Sequence, residues 1–389
     1  MSEISDKFAF ATAPKIHFGC GSLLEIGSAA QHLIGSRCLI ITDHGLVAAG
    51  IVERAVQVLA EAGVHVELFT DVEADPAEAT ILAAVQQAKE MRAESVVGLG
   101  GGSSLDVAKL VAYLAATGEN IQDIYGIGQV KGTRLPLVLI PTTSGTGSEV
   151  TPIAIVTTPT QEKMGVVSPA LLPDLALLDP ELTVGLPAHI TAATGIDAMV
   201  HAVEAYASAS PNNNPVSKAL ALEALRLIGS SLLEGVLKGA DLKARSNLML
   251  GSMLAGQAFA NSPVAAVHAL AYPIGGHFKI PHGLSNALVL PHVLRFNAET
   301  DAEAYYETAV AAFPELASVP EAERALAFCD ALSALSEACG LPQRLRDVGI
   351  GREVLPVLAR DAVKQTRLLV NNPRTLSEND ILQIYEASW

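Results

Sequence analysis

One aspartate and three histidines are the side chains best suited to chemistry in this 389-residue sequence. Asp197 and His201 lie four residues apart in a segment of helical periodicity, so both should project from one helix face. His268 falls in a second helix-like segment, and His282 follows Pro281, which suits the start of a third helix. One carboxylate and three imidazoles without a thiolate suit Fe²⁺, Zn²⁺ or Mn²⁺. An isolated Asp-x-x-x-His pair is more often a plain helix face, so the surrounding sequence decides.

A glycine-rich run, GLGGGSSLDVAKL (98–110), joins a predicted strand to a predicted helix. Gly100, Gly101 and Gly102 would let the backbone approach a ligand closely, and Ser103 can cap the helix. The helix N-terminus would then offer N–H groups and a positive dipole end to a pyrophosphate. Because the spacing is neither G-x-G-x-x-G nor the P-loop, a simple strand-to-helix turn explains it equally well.

A second loop, PTTSGTGSEVT (141–151), also follows a predicted strand and is rich in hydroxyl side chains that can donate hydrogen bonds. Two such loops at neighbouring strand ends would hold a dinucleotide from both sides. Asp43 stands at the end of the first strand of the α/β pattern, where it would accept hydrogen bonds from the adenosine ribose. Its charge would repel a 2′-phosphate, which favours NAD over NADP.

The first half of the chain alternates short β-branched runs with helical patterns. Strands are predicted at 38–43, 65–70, 95–100 and 136–143, with helices near 51–62, 77–91 and 104–116 between them and further strands at 153–158, 164–168 and 175–179. This alternation predicts a parallel sheet with helices on both faces. Ala- and Leu-rich helical segments follow from Pro187 onward. We therefore expect an α/β NAD-binding domain at 1–184 and an all-helical metal and substrate domain at 185–389.

Composition narrows the class of protein. The net charge is −16, which argues against nucleic acid or an anionic membrane surface as partner. Residues 246–278 lack charged side chains and are long enough to cross a bilayer, but Pro263 and Pro273 interrupt them, so we interpret them as buried helices that line a site. No export signal is visible, and the scattered cysteines indicate buried thiols in a reducing, cytoplasmic compartment. The cysteines are Cys20, Cys38, Cys329 and Cys339.

Taken together, these motifs resemble the iron-containing (group III) alcohol dehydrogenases, which are related in fold to glycerol dehydrogenase and dehydroquinate synthase. The resemblance covers nearly the whole chain and rests on TD (42–43), GGGSSLDVAK (100–109), PTTSGTGSEVT (141–151), ATGIDAMVHAVEAY (193–206), PHGLSNALVLPHV (281–293), LRDVGI (345–350) and NNPRTLSENDILQIYEASW (371–389). It implies a dinucleotide-binding α/β domain, a helical metal domain and a catalytic cleft between them. We also expect a homodimer or larger homo-oligomer.

The resemblance assigns roles to single residues. Metal ligands of the family are matched by Asp197, His201, His268 and His282, and the 14-residue spacing of the last two agrees. Positions that contact the nicotinamide dinucleotide are matched by Asp43, Gly101, Gly102, Ser103, Asp106, Thr142, Thr143 and Lys163. Asp75 falls where many members have an Asn beside the adenosine. Asp106 is also expected to fix the glycine loop and the helix start.

One position departs from the family pattern. Members commonly have a His four residues after the third ligand, near the nicotinamide, where this chain has Tyr272. Tyr272 and His277 are the two candidates to relay the proton released on oxidation, although a packed tyrosine is an equal alternative. Tyr at this position is similar to the hydroxyacid–oxoacid transhydrogenase branch, and Lys279 or Arg367 could meet a substrate carboxylate. Glu204 is expected behind a ligand or at the surface.

The resemblance implies an Fe²⁺-dependent enzyme, with Zn²⁺ as the other metal considered, that interconverts small primary alcohols and aldehydes with NAD. Such a metal lowers the pKa of an alcohol and polarises a carbonyl, while the nicotinamide carries the hydride. The alternative is a hydroxyacid dehydrogenase or a hydroxyacid–oxoacid transhydrogenase. A lyase of the dehydroquinate synthase type is disfavoured, because its ligands would be one Glu and two His. A non-catalytic assembly module is disfavoured by the intact ligands and cofactor loops.

Overall fold

The computed structural model describes residues 7–29, 31–160 and 162–389. Within them the chain forms two compact units. An α/β unit comprises residues 11–143 and 147–184, and a helical unit comprises residues 144–146 and 185–389 together with residues 7–10. A three-residue piece of the second hydroxyl-rich loop therefore belongs to the helical unit, although the rest of that loop belongs to the α/β unit.

The α/β unit is built on a parallel sheet. Its strands are β1 (Ile16–Phe18), β2 (Arg37–Ile41), β3 (His65–Phe69), β4 (Ser95–Gly100), β5 (Gly126–Ile127), β6 (Leu137–Pro141), β7 (Ile153–Thr157), β8 (Lys163–Val167) and β9 (Leu175–Leu178). Its helices are α1 (Ile26–Ala29), α2 (His44–Ala48), α3 (Ile51–Glu61), α4 (Glu78–Glu90) and α5 (Gly102–Thr117). In the described residues the main sheet has the order β1-β9-β6-β4-β2-β3, and all its pairings are parallel.

The central strands β4 and β6 are buried along their whole length, as strands covered by helices on both faces must be. Their apolar runs produced the strand predictions at 95–100 and 136–143, which are confirmed. In register, Val97 of β4 pairs with Ile40 of β2 on one side and with Val138 of β6 on the other. The carboxyl ends of β2, β4 and β6 consequently meet at one edge of the sheet, where the two loops and Asp43 follow.

The strands predicted at 153–158 and 164–168 form, but they do not extend the main sheet. β7 and β8 pair antiparallel, with Ile155 opposite Gly165, and join β5 in a small separate sheet. Burial alternates along β7, as expected of an antiparallel sheet that packs on the core with one face only. Two strands were not predicted, β1 and β5, because two or three residues are too few for a period-two pattern. The cysteine prediction was partly wrong: Cys20 is exposed, whereas the other three are buried.

The helical unit confirms the change of pattern after Pro187. Its helices are α6 (Ala188–Ala207), α7 (Pro215–Gly229), α8 (Leu232–Leu237), α9 (Leu242–Asn261), α10 (Ala266–Phe278), α11 (His282–Ala298), α12 (Tyr306–Ala312), α13 (Glu321–Ala338), α14 (Leu355–Ala362), α15 (Thr366–Leu369) and α16 (Glu378–Ser388). α6 is central and packs against α7, α8, α9 and α11. Ala and Gly on α6 allow these close contacts. For example, a Cβ at Gly195 would lie 2.3 Å from a Leu232 methyl carbon.

The uncharged stretch 246–278 is divided between α9 and α10, which end and begin at Asn261 and Ala266. No helix of the described residues is both long and apolar enough to cross a membrane. Just before this stretch, Arg245 is almost completely buried and donates to the Thr191 hydroxyl at 2.8 Å and to the Gly239 carbonyl at 2.8 Å. The guanidinium thereby fixes α9 to the first turn of α6.

Candidate metal centre and cofactor loops

Three helices bring the predicted metal ligands together. Asp197 and His201 are one turn apart on α6, His268 lies in the first turn of α10, and His282 is the first residue of α11. One ligand atom from each residue can be chosen so that all four lie within 4.8 Å of one another. The predicted helical positions of these residues are therefore confirmed, and their donor atoms lie close enough together that the four residues could hold one metal ion.

A glycine permits the approach of α11 to α6. Gly283 follows His282, and a Cβ at this position would lie 2.5 Å from the Ala193 carbonyl oxygen and 3.2 Å from the Asp197 Cβ. No side chain fits without moving one of the two helices. The close crossing places the His282 Nε2 3.7 Å from an Asp197 carboxylate oxygen. The PHG sequence therefore brings His282, the fourth predicted ligand, into the cluster.

Hydrogen bonds to Nδ1 orient the imidazole rings of His268 and His201. The Glu204 carboxylate accepts from the His268 Nδ1 at 2.7 Å and from the backbone N–H of Val267 at 2.6 Å. His201 Nδ1 lies 3.2 Å from the Gly145 carbonyl oxygen. When Nδ1 carries the proton, Nε2 is left with a free lone pair for a metal. Glu204 thus lies behind a ligand, as one of the two predicted alternatives had it.

The imidazole rings are also held by stacking. His201 stacks between Phe259 and His268, with ring centroids 4.3 and 4.8 Å away. His268 in turn lies 5.3 Å from the His282 ring. Packing on both faces limits rotation of these rings, which lowers the entropy lost when they bind a metal.

Asn286 belongs to the site but was missed in the sequence. Its buried amide nitrogen lies 2.6 Å from an Asp197 carboxylate oxygen, 3.4 Å from His268 Nε2 and 3.3 Å from His282 Nε2. Its amide oxygen has no hydrogen-bond partner among the described residues. The spacing of four residues from His282, which puts both on one face of α11, was the signal that could have identified it.

The electrostatics of the cluster suit a divalent cation. Burial acts to raise the pKa of Asp197, but the three imidazoles and the Asn286 amide outweigh it and bring the pKa below its usual range. Burial lowers the pKa of both His201 and His268. Asp197 is therefore ionised and His201 and His268 are neutral, which is the protonation state that Fe²⁺ and Zn²⁺ require of such ligands. These residues fit the metal that the resemblance implies.

The glycine-rich loop departs from prediction in one detail. α5 begins at Gly102 with Gly101 at the N-cap, so Ser103 lies inside the helix, and no side chain of the described residues caps it. Gly101 occupies the capping position because its extended backbone leads directly from the strand end. Gly100 has a φ of 159°, and a Cβ there would lie 2.6 Å from the Ser104 hydroxyl oxygen. The first-turn N–H groups therefore lack a side-chain cap, as a pyrophosphate site needs.

A buried lysine connects α5 to the second loop. Lys109 is fully buried and donates to the Ser148 hydroxyl at 2.7 Å and to the Ile153 carbonyl at 2.6 Å. Asp106 accepts from the Ser148 hydroxyl at 2.6 Å and from the Ile155 N–H at 3.0 Å. Asp106 was predicted to fix the glycine loop and the start of α5, whereas these bonds join α5 to the second loop and to β7. Lys109 was missed, although a lysine within the apolar pattern VAKLVAYL was a signal.

The other residues predicted to contact the cofactor lie in loops or at strand ends of the α/β unit. The Asp43 carboxylate caps α2 by accepting from the Leu46 N–H at 3.0 Å. Asp75 has a positive φ of 54° and forms an ion pair of 2.6 Å with Lys163. Where the two loops begin, the backbone N–H of Thr142 donates to the Gly100 carbonyl at 2.9 Å. Thr143 lies next to Gly101.

The two candidate proton relays differ in position. The Tyr272 ring lies 5.9 Å from the ring of His282, one of the predicted ligands. Burial raises the pKa of Tyr272, and the charge and a hydrogen bond of Arg367 act against that rise. His277 is instead about half exposed and bonded to Asp361 at 2.8 Å. Within the described residues, the structure does not bring His277 together with the four ligands.

Comparison with known proteins agrees with the geometry. The model of the iron-containing alcohol dehydrogenases matches residues 13–180, and that of the family's C-terminal domain matches residues 191–389. Long-chain-alcohol dehydrogenase 1 of Geobacillus thermodenitrificans is 41% identical over 97% of this chain and 95% of its own.

Two solved structures are similar throughout. A 1,3-propanediol oxidoreductase shares 34% identity with a TM-score of 0.95 and covers 98% of this chain and 100% of its own. Sulfoacetaldehyde reductase from Bifidobacterium kashiwanohense, solved with NAD⁺, shares 28% identity with a TM-score of 0.87, covering 98% of both chains. From the family models and the relative that spans nearly its whole length, we conclude that this chain is an oxidoreductase of the iron-containing alcohol dehydrogenase family.

Proposed function

We propose that the protein interconverts small primary alcohols and aldehydes, with NAD as hydride carrier and with Fe²⁺, or Zn²⁺ in its place, held by Asp197, His201, His268 and His282. The observation that carries the proposal is the convergence of the four donor atoms within 4.8 Å. When bound, a divalent metal supplies Lewis acidity, which eases loss of the alcohol proton and polarises the carbonyl. Glu204, Gly145 and Phe259 keep the imidazoles oriented for this role.

NAD as cofactor is supported by the two loops. α5 begins with glycines, and no side chain of the described residues caps its N-terminus. Lys109 and Asp106 bond to the Ser148 hydroxyl and so hold α5 to the second loop. Binding at these strand ends would seat the pyrophosphate, and Asp43 would face the adenosine ribose. The Asp75–Lys163 pair lies in the same unit, and we propose that it borders the adenosine part. The structural relative bound to NAD⁺ supports this choice of cofactor.

Tyr272 is the proposed proton relay. Its ring lies beside His282, whereas His277 is bonded to Asp361 at an exposed position. A phenol there can relay a proton if its oxygen takes the alcohol proton while its own O–H proton leaves to solvent; its raised pKa makes it a weaker acid than the family's usual histidine.

The wider organisation is also proposed. We infer that residues 1–184 form the NAD-binding domain and that residues 185–389 form the metal and substrate domain. We further infer a homodimer or larger homo-oligomer in the cytoplasm. Light scattering of the purified protein tests the assembly, and a monomer at micromolar concentration would contradict it.

A steady-state assay tests the proposed function. Ferrous-loaded protein is given a series of primary alcohols and aldehydes with NAD and, separately, with NADP. We expect reversible turnover with a preference for NAD. Turnover of a hydroxyacid only when an oxoacid is present, without added NAD, would instead establish the transhydrogenase alternative.

A further inference from the structure

One amide contacts three of the four predicted ligands. Asn286 lies one turn after His282 on α11 and is fully buried. Its Nδ2 is 2.6 Å from one oxygen of Asp197, Oδ1, and 3.3 and 3.4 Å from the Nε2 atoms of His282 and His268. A carboxylate oxygen accepts hydrogen bonds, and an imidazole that binds a metal presents a lone pair. The side of the amide that faces them must therefore be the NH₂ group.

The amide oxygen of Asn286 indicates why an amide is present at all. Within the described residues this oxygen is buried and has no hydrogen-bond partner. An unpartnered buried acceptor destabilises a fold, so an asparagine that only filled space would be less stable here than a leucine of similar volume. The N–H groups are therefore the part of this side chain that the site uses.

The two oxygens of the Asp197 carboxylate differ in their surroundings. Oδ1 accepts the Asn286 N–H at 2.6 Å, whereas no group of the described residues donates a hydrogen bond to Oδ2. A short hydrogen bond to a carboxylate draws electron density from the oxygen that accepts it, and it fixes the plane of the group. Oδ2 is consequently the better of the two oxygens to donate to a metal.

We propose that Asn286 is a positioning residue that restricts Asp197 to one metal-binding oxygen. With Oδ1 bonded to the amide, the carboxylate and the three imidazoles supply four donor atoms, and a further position stays open for the oxygen of the alcohol or aldehyde. Without the amide, both carboxylate oxygens are free to bind the metal and to close that position. The inference rests on the proposed function and names the residue that keeps the metal open to the substrate.

Cobalt spectroscopy of Asn286→Leu tests the inference. Co²⁺ binds the same nitrogen and oxygen ligands as Fe²⁺, and its visible absorption weakens as the number of donor atoms rises. We expect weaker absorption from Asn286→Leu than from wild type at equal Co²⁺ content, together with a fall in kcat/KM for butan-1-ol of about 10- to 100-fold. Asn247→Leu is the control, because this partly buried amide on α9 bonds to Ser231, and it should keep the wild-type spectrum.

A wild-type spectrum in Co²⁺-loaded Asn286→Leu would overturn the inference. Loss of Co²⁺ from folded Asn286→Leu would also overturn it, because the four ligands should retain the metal without the amide. Should the variant not fold, infrared spectra of wild type with ¹³C-labelled aspartate decide, as the difference between metal-loaded and metal-free protein. A carboxylate bound through one oxygen separates its two stretching bands more widely than one bound through both, so we expect the wide separation, and a narrow one contradicts the inference. Wild type that binds no Co²⁺ would instead contradict the proposed function itself.

Discussion

Glu204 Oε2 lies 2.7 Å from Nδ1 of His268, and both side chains are buried. The carboxylate therefore sets which nitrogen of the imidazole faces the other ligands. Partners of this kind behind a metal ligand usually contribute 10- to 100-fold to metal affinity.

We expect Glu204→Gln to lower the affinity for Zn²⁺ by about 10- to 100-fold, because an amide is a weaker acceptor for the His268 N–H. Competition with a chromogenic chelator measures this directly. Glu223→Gln, on the exposed side of α7, is the control and should bind Zn²⁺ as wild type does. An unchanged affinity in Glu204→Gln would show that His268 is oriented by its packing alone.

Gly283→Ala should weaken metal binding through backbone geometry. The new methyl group would lie 2.5 Å from the Ala193 carbonyl oxygen, so α11 must move away from α6 and carry His282 with it. We expect a destabilisation of about 1–3 kcal/mol, as for other overpacked sites, together with reduced metal content.

Gly276→Ala on α10 is the matched control, because nothing lies within 4 Å of a Cβ there. Metal analysis and thermal unfolding of both variants make the comparison. Full metal content in Gly283→Ala would mean that the helix crossing does not determine the position of His282.

Tyr272→Phe tests the proton relay. If the hydroxyl carries the proton, turnover should fall by about 10²-fold at unchanged metal content, which is typical for loss of a general acid–base group. Tyr206→Phe removes another hydroxyl, one bonded to Glu307, and should have little effect. Tyr272→His should keep turnover and move its pH dependence toward neutrality. Normal turnover in Tyr272→Phe would assign the tyrosine to packing.

The sequence predicted the structure correctly where the spacing or periodicity within one segment determines it. The Asp197–His201 spacing, the start of α11 after Pro281 and the buried runs of β4 and β6 depend on local periodicity, and each was predicted. The contacts of three features could not be predicted, because they join residues that are distant in the sequence. Asn286 reaches Asp197 across two helices, Lys109 bonds to Ile153 far along the chain, and β7 joins a second sheet. Composition and hydrophobic periodicity cannot show which residues, far apart in the sequence, come into contact in the fold.

A buried carboxylate makes the α/β unit sensitive to pH. Burial raises the pKa of Glu149 from 4.5 to about 7, with the Lys109 charge acting against it. Between these pH values the folded protein holds a proton that the unfolded chain releases, so the free energy of unfolding falls as pH rises from 4.5 to about 7. The loss should total roughly 3 kcal/mol, at 1.36 kcal/mol for each unit of pKa.

Glu149→Gln should remove most of this slope and stabilise the α/β unit at pH 8. Tryptophan fluorescence would report on the helical unit, which contains the single tryptophan. Unfolding of the α/β unit is therefore measured by hydrogen exchange of the α5 amides. Glu53→Gln, an exposed change on α3, serves as control. A Glu149→Gln protein with the same slope as wild type would place the pH sensitivity elsewhere.

The central claim is that hydride passes between an alcohol and NAD only when the four-residue cluster holds a metal. The most direct measurement follows deuterium from 1,1-dideuterated butan-1-ol while Fe²⁺ is titrated into metal-free protein. We predict that one deuterium per alcohol appears at C4 of the reduced nicotinamide, in proportion to bound Fe²⁺, and that His268→Ala neither retains Fe²⁺ nor transfers deuterium. Transfer by metal-free protein or by His268→Ala, or a hydrogen at C4 that comes from solvent, would contradict the account.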